Sequence, residues 1–272
     1  LFFAGKISIL FQSESLLEIV KLFFAFSFAA SSIYIINDLK DVEADRLHPE
    51  KRFRPIASGK ISVLQAKICF IISILILASI SCFLAQEVFY FIAAYFSLNL
   101  LYTYYLKNIA IVDVSCISLG FVLRILAGGA ALGLFVSHWM IIIVFLLSTS
   151  IAFAKRRDDL IIQKDGERIF RKSQKGYTLA FIDVATSVSF SVTLISYIIY
   201  SVSEDAISRI GSNKLYITSL FVFLGILRYL QISIVEEKSG SPTKVLQKDL
   251  FLQIVILLWI ATFAFIIYGK SI

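Results

Sequence analysis

Asp38, Asp41 and Asp45 stand at i, i+3 and i+7 in the stretch NDLKDVEAD, a spacing that gathers three carboxylates on one stripe if the preceding helix continues through them. Acids so placed repel one another, by about 0.2–0.5 kcal/mol for each close pair, so the stripe calls for a cation among them. Magnesium suits it best: it takes oxygen ligands, keeps several waters, and is commonly shared between one or two carboxylates and the phosphates of a substrate. Asn37 precedes the acids, and KRFRP follows them with Lys51 and Arg54, so anion-binding cations adjoin metal-binding anions. Together these residue types make a site for a diphosphate. The same acids can also be read as the solvated face of a helix emerging from a membrane.

The elements that carry these residues follow from composition. Of 272 residues 58% are apolar and 17% charged, with 25 phenylalanines, which excludes a water-soluble domain. A helix needs about 20 apolar residues to cross ~30 Å of hydrocarbon. Eight such spans are expected, at 16–37, 62–84, 87–106, 110–134, 137–154, 178–201, 213–234 and 249–269. Strand-like alternation is absent, so the fold class is an all-α integral membrane bundle. The opening LFFAGKISIL reads as the tail of one more span, so a truncated first helix is expected, and nine helices in an intact chain. Cys69, Cys82 and Cys116 lie inside spans without C-x-x-C spacing, and His48 and His138 are the two histidines, so neither a disulfide framework nor a zinc site is expected.

Threading the spans puts 39–61, 107–109, 155–177 and 235–248 on one side together with most of the lysines and arginines. By the positive-inside rule that side is cytoplasmic, and the expected location is a bacterial inner (plasma) membrane. Topology and contact with anionic lipid headgroups or phosphates account for the net charge of +7, so no nucleic-acid partner is implied. A single domain, 1–272, is expected, capped by charged loops at 39–61 and 155–177, as if each half contributed one charged lip. Inside the membrane an arginine costs on the order of 2.5 kcal/mol or more. Arg124 should therefore line a phosphate pocket, or pair with a helix carbonyl or Asp113. Tyr102, Tyr104 and Tyr105 read as an interfacial aromatic belt.

The form N-D-x-x-D-x-x-x-D, followed by HPEKRFRPIASG, resembles the first aspartate-rich motif of the UbiA superfamily of intramembrane prenyltransferases and its continuation. LNLLYTYYLKNIAIVDV and GFVLRILAGGAA resemble the family's tyrosine, lysine and aspartate loop and its arginine-containing helix, which adds Lys107 and Arg124 to the site. The resemblance implies a UbiA-type bundle with a cytoplasm-facing polar cavity open sideways to lipid, and magnesium held by Asp38, Asp41 and Asp45. Where the family's second aspartate motif is usual, this chain has AKRRDDLIIQKDGERIFRKSQKGYT. Ile162 and Gln163 fall four residues after Asp158 and Asp159, which leaves Asp158 and Asp165 to share a face.

That replacement has a chemical reading. An allylic diphosphate carries its charge at one end, whereas phosphoribosyl pyrophosphate has a diphosphate at C1 and a separate phosphate at C5. Carboxylates with magnesium suit the first group, and arginine forks and lysines suit the second. Lys155, Arg156, Asp159, Leu160, Arg171, Lys172, Ser173, Tyr177 and Thr178 also resemble the 5-phosphoribosyltransferase branch of the superfamily, which makes decaprenylphosphoryl-5-phosphoribose. This resemblance implies transfer of a 5-phosphoribosyl group from phosphoribosyl pyrophosphate to a polyprenyl phosphate. A phosphate nucleophile is already anionic, so no general base is demanded. The alternative is prenyl transfer from an allylic diphosphate to an aromatic or other acceptor, against which the incomplete second motif argues. A transporter would gather its ionisable groups near mid-membrane, whereas here they cluster at one face.

Overall fold

Hydrocarbon offers no partner to a backbone N–H or C=O, so a long apolar segment folds as a helix that satisfies these groups internally. The computed structural model describes residues 12–47, 51–166, 173, 176–237, 239 and 241–268. Among these the chain forms α1 (Ser13–Arg46), α2 (Val63–Ser81), α3 (Gln86–Tyr104), α4 (Val112–Ala131), α5 (His138–Gly166), α6 (Leu179–Val202), α7 (Glu204–Ile210), α8 (Ser219–Leu230), α9 (Pro242–Lys248) and α10 (Leu250–Tyr268). Seven described segments are long and apolar enough to cross a membrane: α1, α2, α4, α5 as far as Ile161, α6, Leu215–Val235 and α10. The expected span 87–106 is helical as α3 but is not among the seven, because Gln86, Glu87, Asn99 and its tyrosines dilute its apolar character. Large apolar side chains such as Phe23, Leu75 and Phe265 face outward, as in an integral membrane protein.

The segments expected as charged loops begin as helix. α1 continues to Arg46 and α5 to Gly166, because KDVEADR and KRRDDLIIQKD contain good helix formers and neither Pro nor Gly. The expected span 213–234 is built in three parts, a 3-10 turn at Leu215–Thr218, then α8, then a π-helical turn at Gln231–Val235. The short helices α7 and α9 lie in stretches expected as connections.

The helices form two compact units, α1–α4 and α5–α10. In the first, Ala25 and Ala29 of α1 are fully buried and Ile33 nearly so, against Leu77 of α2 and Val88, Ile92 and Tyr95 of α3. Small residues four apart let the helices approach closely where apolar burial supplies no driving force. Ser62 starts α2 with a capping box, accepting from Gln65 N at 3.2 Å while its own N–H donates to Gln65 Oε1 at 2.9 Å.

In the second unit Ala154, Phe190, Tyr229, Ile232 and Leu252 pack in one cluster, and Tyr200, Leu215 and Phe263 in another. Arg228 pairs with Glu236 at 2.8 Å and with Asp249 at 2.6 Å. Asp249 also caps α10, its Oδ1 accepting from Leu252 N at 2.8 Å. The hydrogen bond from Arg228 holds the Asp249 carboxyl below the usual carboxylate range, with Leu252 N–H acting in the same sense.

A carboxylate whose folded pKa is depressed stabilises the fold above its unfolded value, about 3.9, and loses that contribution as pH falls through the folded value. Asp249→Asn keeps a capping oxygen and removes the ion pair, so it should lower the thermal midpoint in detergent at pH 7, and its gap from wild type should narrow below pH ~4. Asp249→Ala also loses the cap, about 1 kcal/mol more, and should be the less stable variant throughout. A gap independent of pH would show that the pair contributes nothing.

Candidate active site

An α-helix turns about 100° per residue, so the side chains around α1 run in the order Lys40, Asn37, Asp41, Asp45, Asp38. Two elements bring a cation to this arc, one at each edge. The first is the segment after α1. A 3-10 turn at Lys51–Phe53, then Pro55, buried Ile56 and Ala57, and Gly59 at φ 78° fold the chain back. Arg46 fastens the fold by donating from Nε to Ala57 O at 3.2 Å. Arg54 thereby returns to α1, where Nη1 donates to Asp38 Oδ1 and to Asp45 Oδ2, each at 2.8 Å. Asp45 is 5% exposed, so its charge is met almost wholly by protein.

The second element is the connection between α3 and α4. A 3-10 turn at Leu106–Asn108 presents Lys107, whose Nζ donates to both Asp41 carboxylate oxygens at 2.8 and 2.7 Å and to Asn37 Oδ1 at 3.3 Å. Ile111 ends the connection at φ 70°, a strained conformation for a β-branched residue.

Asp38, Asp41 and Asp45 thus share one face of α1, but they do not share one partner. Asp38 and Asp45 converge on a single cationic nitrogen, while Asp41 turns to Lys107. Among the described residues no cluster of three or more His, Cys, Asp or Glu side chains is gathered as a complete metal cage. Two converging carboxylates nevertheless fit magnesium, which is commonly held by one or two carboxylates together with substrate phosphates.

Arg124 of α4 donates from Nη2 to Tyr95 OH at 2.7 Å, and its guanidinium lies 5.0 Å from the Tyr95 ring and 5.6 Å from that of Phe121. A tyrosine on α3 therefore takes the place of the carbonyl or Asp113 expected from sequence. Asp113, fully buried at the start of α4, accepts from Ser173 Oγ at 3.3 Å.

Helical spacing sends the three successive cations of α5 different ways. Lys155 is exposed, whereas Arg156 and Arg157 are 1% and 5% exposed. Arg156 Nη1 donates to Asp159 Oδ2 at 3.2 Å. Arg157 donates from Nε to Asp183 Oδ1 of α6 at 2.8 Å, and its terminal nitrogens lie 3.4 Å from Glu237 Oε1. Asp158 Oδ1 accepts from Ser239 Oγ at 2.8 Å, and Ser239 is 3.0 Å from Ser233 Oγ. The π-helical turn after α8, with Glu237 at φ 55° beyond it, carries these last partners, and such turns are frequent at functional sites.

Sequence reasoning missed Asp183, Glu237 and Ser239. For Glu237 and Ser239 the available signal was VEEKSGS, a further acidic stretch ending an apolar span, whereas Asp183 is a single acid near the start of α6. Tyr177 is buried, edge-on to Phe153 with ring centroids 6.1 Å apart and stacked on Phe181 at 5.9 Å. Arg171, Lys172 and His48 lie outside the described residues, as does the side chain of Asp165.

Comparison with known proteins gives concordant matches. A sequence profile of the UbiA prenyltransferase family matches residues 3–255. The chain is similar to the decaprenyl-phosphate phosphoribosyltransferase of Mycolicibacterium smegmatis, 34% identical over 255 residues that cover 90% of this chain and 79% of that protein. It is 30% identical over 262 residues to the protein of the same name from Corynebacterium glutamicum, with 95% and 78% covered. Its fold is similar to the solved structure of a UbiA homolog from Archaeoglobus fulgidus bound to GPP and Mg2+, with a TM-score of 0.70, 18% identity, and 98% of this chain and 94% of that one covered.

Losing a buried, charge-assisted hydrogen bond costs about 1.5–3 kcal/mol, whereas an exposed surface change stays within about 0.5 kcal/mol. Arg157→Ala should therefore depress the thermal midpoint, and Lys155→Ala, at an exposed position, should depress it less. Equal shifts in the two variants would contradict the division of labour among these three cations.

Proposed function

The chain belongs to the UbiA prenyltransferase family, and within it we propose that this enzyme moves a 5-phosphoribosyl group from phosphoribosyl pyrophosphate to a polyprenyl phosphate, releasing pyrophosphate. The observation that carries the reading is the unlike chemistry of the two charged helix ends. On α1, Asp38 and Asp45 converge on one cation, as ligands of a diphosphate-bound metal must. On α5, cations replace the usual second carboxylate pair, which suits a phosphate separate from the diphosphate. The name borne by the two relatives at 34% and 30% identity supports the same donor and acceptor classes.

In this reading Asp38 and Asp45 hold magnesium, with Asp41 beside them. Magnesium, when bound, neutralises the charge that grows on the departing diphosphate. Asn37, Lys51, Arg54, Lys107 and Arg124 bind and orient the diphosphate and the lipid phosphate. Lys155, Arg156, Arg171 and Lys172 take the 5-phosphate, with Asp159 orienting Arg156 and Tyr177 anchoring the segment. An oxygen of the lipid phosphate forms the new bond to ribose C1 as the bond from C1 to the diphosphate oxygen breaks, and the electron pair of that bond leaves with pyrophosphate. The nucleophile is anionic at neutral pH, so no side chain has to accept a proton. The concentration of lysine and arginine at these helix ends favours a cytoplasmic site, in a bacterial inner membrane.

Asp38→Asn and Asp45→Asn should abolish turnover while leaving the chain folded, and chelation of divalent metal should stop the wild-type enzyme. Near-normal activity of either variant at saturating magnesium would remove the metal assignment. For the donor, kcat/KM is measured with phosphoribosyl pyrophosphate and with ribose 1-pyrophosphate, for wild type and Arg156→Ala. Losing a charge-assisted hydrogen bond costs about 1.5–3 kcal/mol, roughly a ten- to hundredfold loss. That loss should fall on the donor with a 5-phosphate and largely spare the other. Equal losses would mean that Arg156 does not read the 5-phosphate, and efficient transfer from geranylgeranyl diphosphate by wild type would return the enzyme to prenyl transfer.

A further inference from the structure

We propose that Lys40, which lies inside the aspartate motif but off its carboxylate stripe, is a positioning residue that fixes the end of α3 and so sets Lys107 for the diphosphate. Lys40 Nζ donates to Thr103 O at 2.8 Å and to Tyr104 O at 3.3 Å, and it sits 4.3 Å from the centroid of the Tyr104 ring. These are carbonyls of the last turn of α3, groups that have no partner within the helix and carry its negative dipole end. Thr103 is 1% exposed, so a donor from protein is needed there.

The next residue of α1, Asp41, grips Lys107, three residues beyond Tyr104. Consecutive residues of one rigid helix therefore hold both ends of a single short connection. Lys40 fixes where α3 stops, Asp41 fixes where Lys107 ends, and the 3-10 turn at Leu106–Asn108 spans the interval. Lys40 is exposed, yet its ammonium turns back onto these carbonyls instead of extending into solvent. Lys107 and Arg54 pair with side chains, whereas the ammonium of Lys40 is bound to two backbone carbonyls and lies over a ring. The hydrogen-bonding demand is for a cation with at least two donors and a flat or compact head that fits against Tyr104, which an arginine also meets.

The inference rests on the proposed role of Lys107 as a diphosphate ligand, and its test is chosen to separate the two. Binding of pyrophosphate in the presence of magnesium is measured by calorimetry on the purified full chain in detergent, a readout that does not depend on which donor the enzyme uses. Lys40→Met keeps the stem and loses the donors. Its dissociation constant should rise about tenfold in a chain that stays folded, and Lys40→Arg should restore binding to within about threefold. The Lys40→Met/Lys107→Ala double variant should bind no worse than Lys107→Ala alone, since one residue acts through the other. Unchanged binding by Lys40→Met, failure of Lys40→Arg to rescue, or additive losses in the double variant would each overturn the proposal. Normal binding by Lys107→Ala would instead remove Lys107 from the diphosphate site, and the role of Lys40 with it.

Discussion

One nitrogen of Arg54 lies between Asp38 and Asp45, and the polar end of the first unit is arranged around that contact. Two carboxylates seven residues apart meet at one point when the helix beneath them is continuous through both, so α1 has to run past its apolar portion as far as Arg46. The guanidinium reaches them because the 51–61 segment folds back, on a 3-10 turn, a proline and a glycine in the left-handed region. Like charges that would repel on a bare helix are thereby turned into a converging pair. The packing of Ala25 and Ala29 against α2 and α3 fixes the rotation of α1, and with it the direction in which the stripe faces.

The charged end of α5 obeys the same rule with the signs changed. Here too a membrane helix runs on into its charged turns, so functional groups sit on a rigid element whose spacing is set by the helix. Positive-inside topology explains why cations gather at such an end, but not why two of them are buried. Arg157 is consumed in joining α5 to α6 and to the turn after α8, and Arg156 is oriented by Asp159, while Lys155 stays exposed. Burial thus separates the two arginines, which are held by neighbouring side chains, from a lysine that faces outward.

Much of this was legible in the sequence, because hydropathy and helical periodicity are local. The apolar spans and the stripe of Asp38, Asp41 and Asp45 both follow from spacing within one helix. The partners of those groups were not legible, since pairing depends on which helices pack together. Arg157 meets acids 26 and 80 residues away, and Arg124 meets Tyr95, 29 residues back. Continuation of α5 through KRRDDLIIQKD was hidden by its charge, which reads as loop once the apolar run stops. Lys40 escaped notice because it is off the stripe, and that same displacement turns it toward the end of α3.

Charge at the stripe constrains how a donor can enter. Three carboxylates paired with Arg54 and Lys107 leave one negative charge in excess among these five groups. A diphosphate approaching the carboxylates of the stripe without a metal meets their repulsion at short range, strengthened where Asp45 is shielded from water. A divalent ion held by Asp38 and Asp45, as proposed, would offset the charge of the stripe, so that metal and diphosphate would favour each other's binding. In that proposed state Arg54 and Lys107 would be released from the carboxylates to face phosphate oxygens. Reciprocity follows from linkage: whatever factor the metal contributes to diphosphate affinity, the diphosphate returns to metal affinity. On the proposed assignment, an acidic stripe with tethered cations at its edges is therefore suited to a diphosphate that arrives as its metal complex.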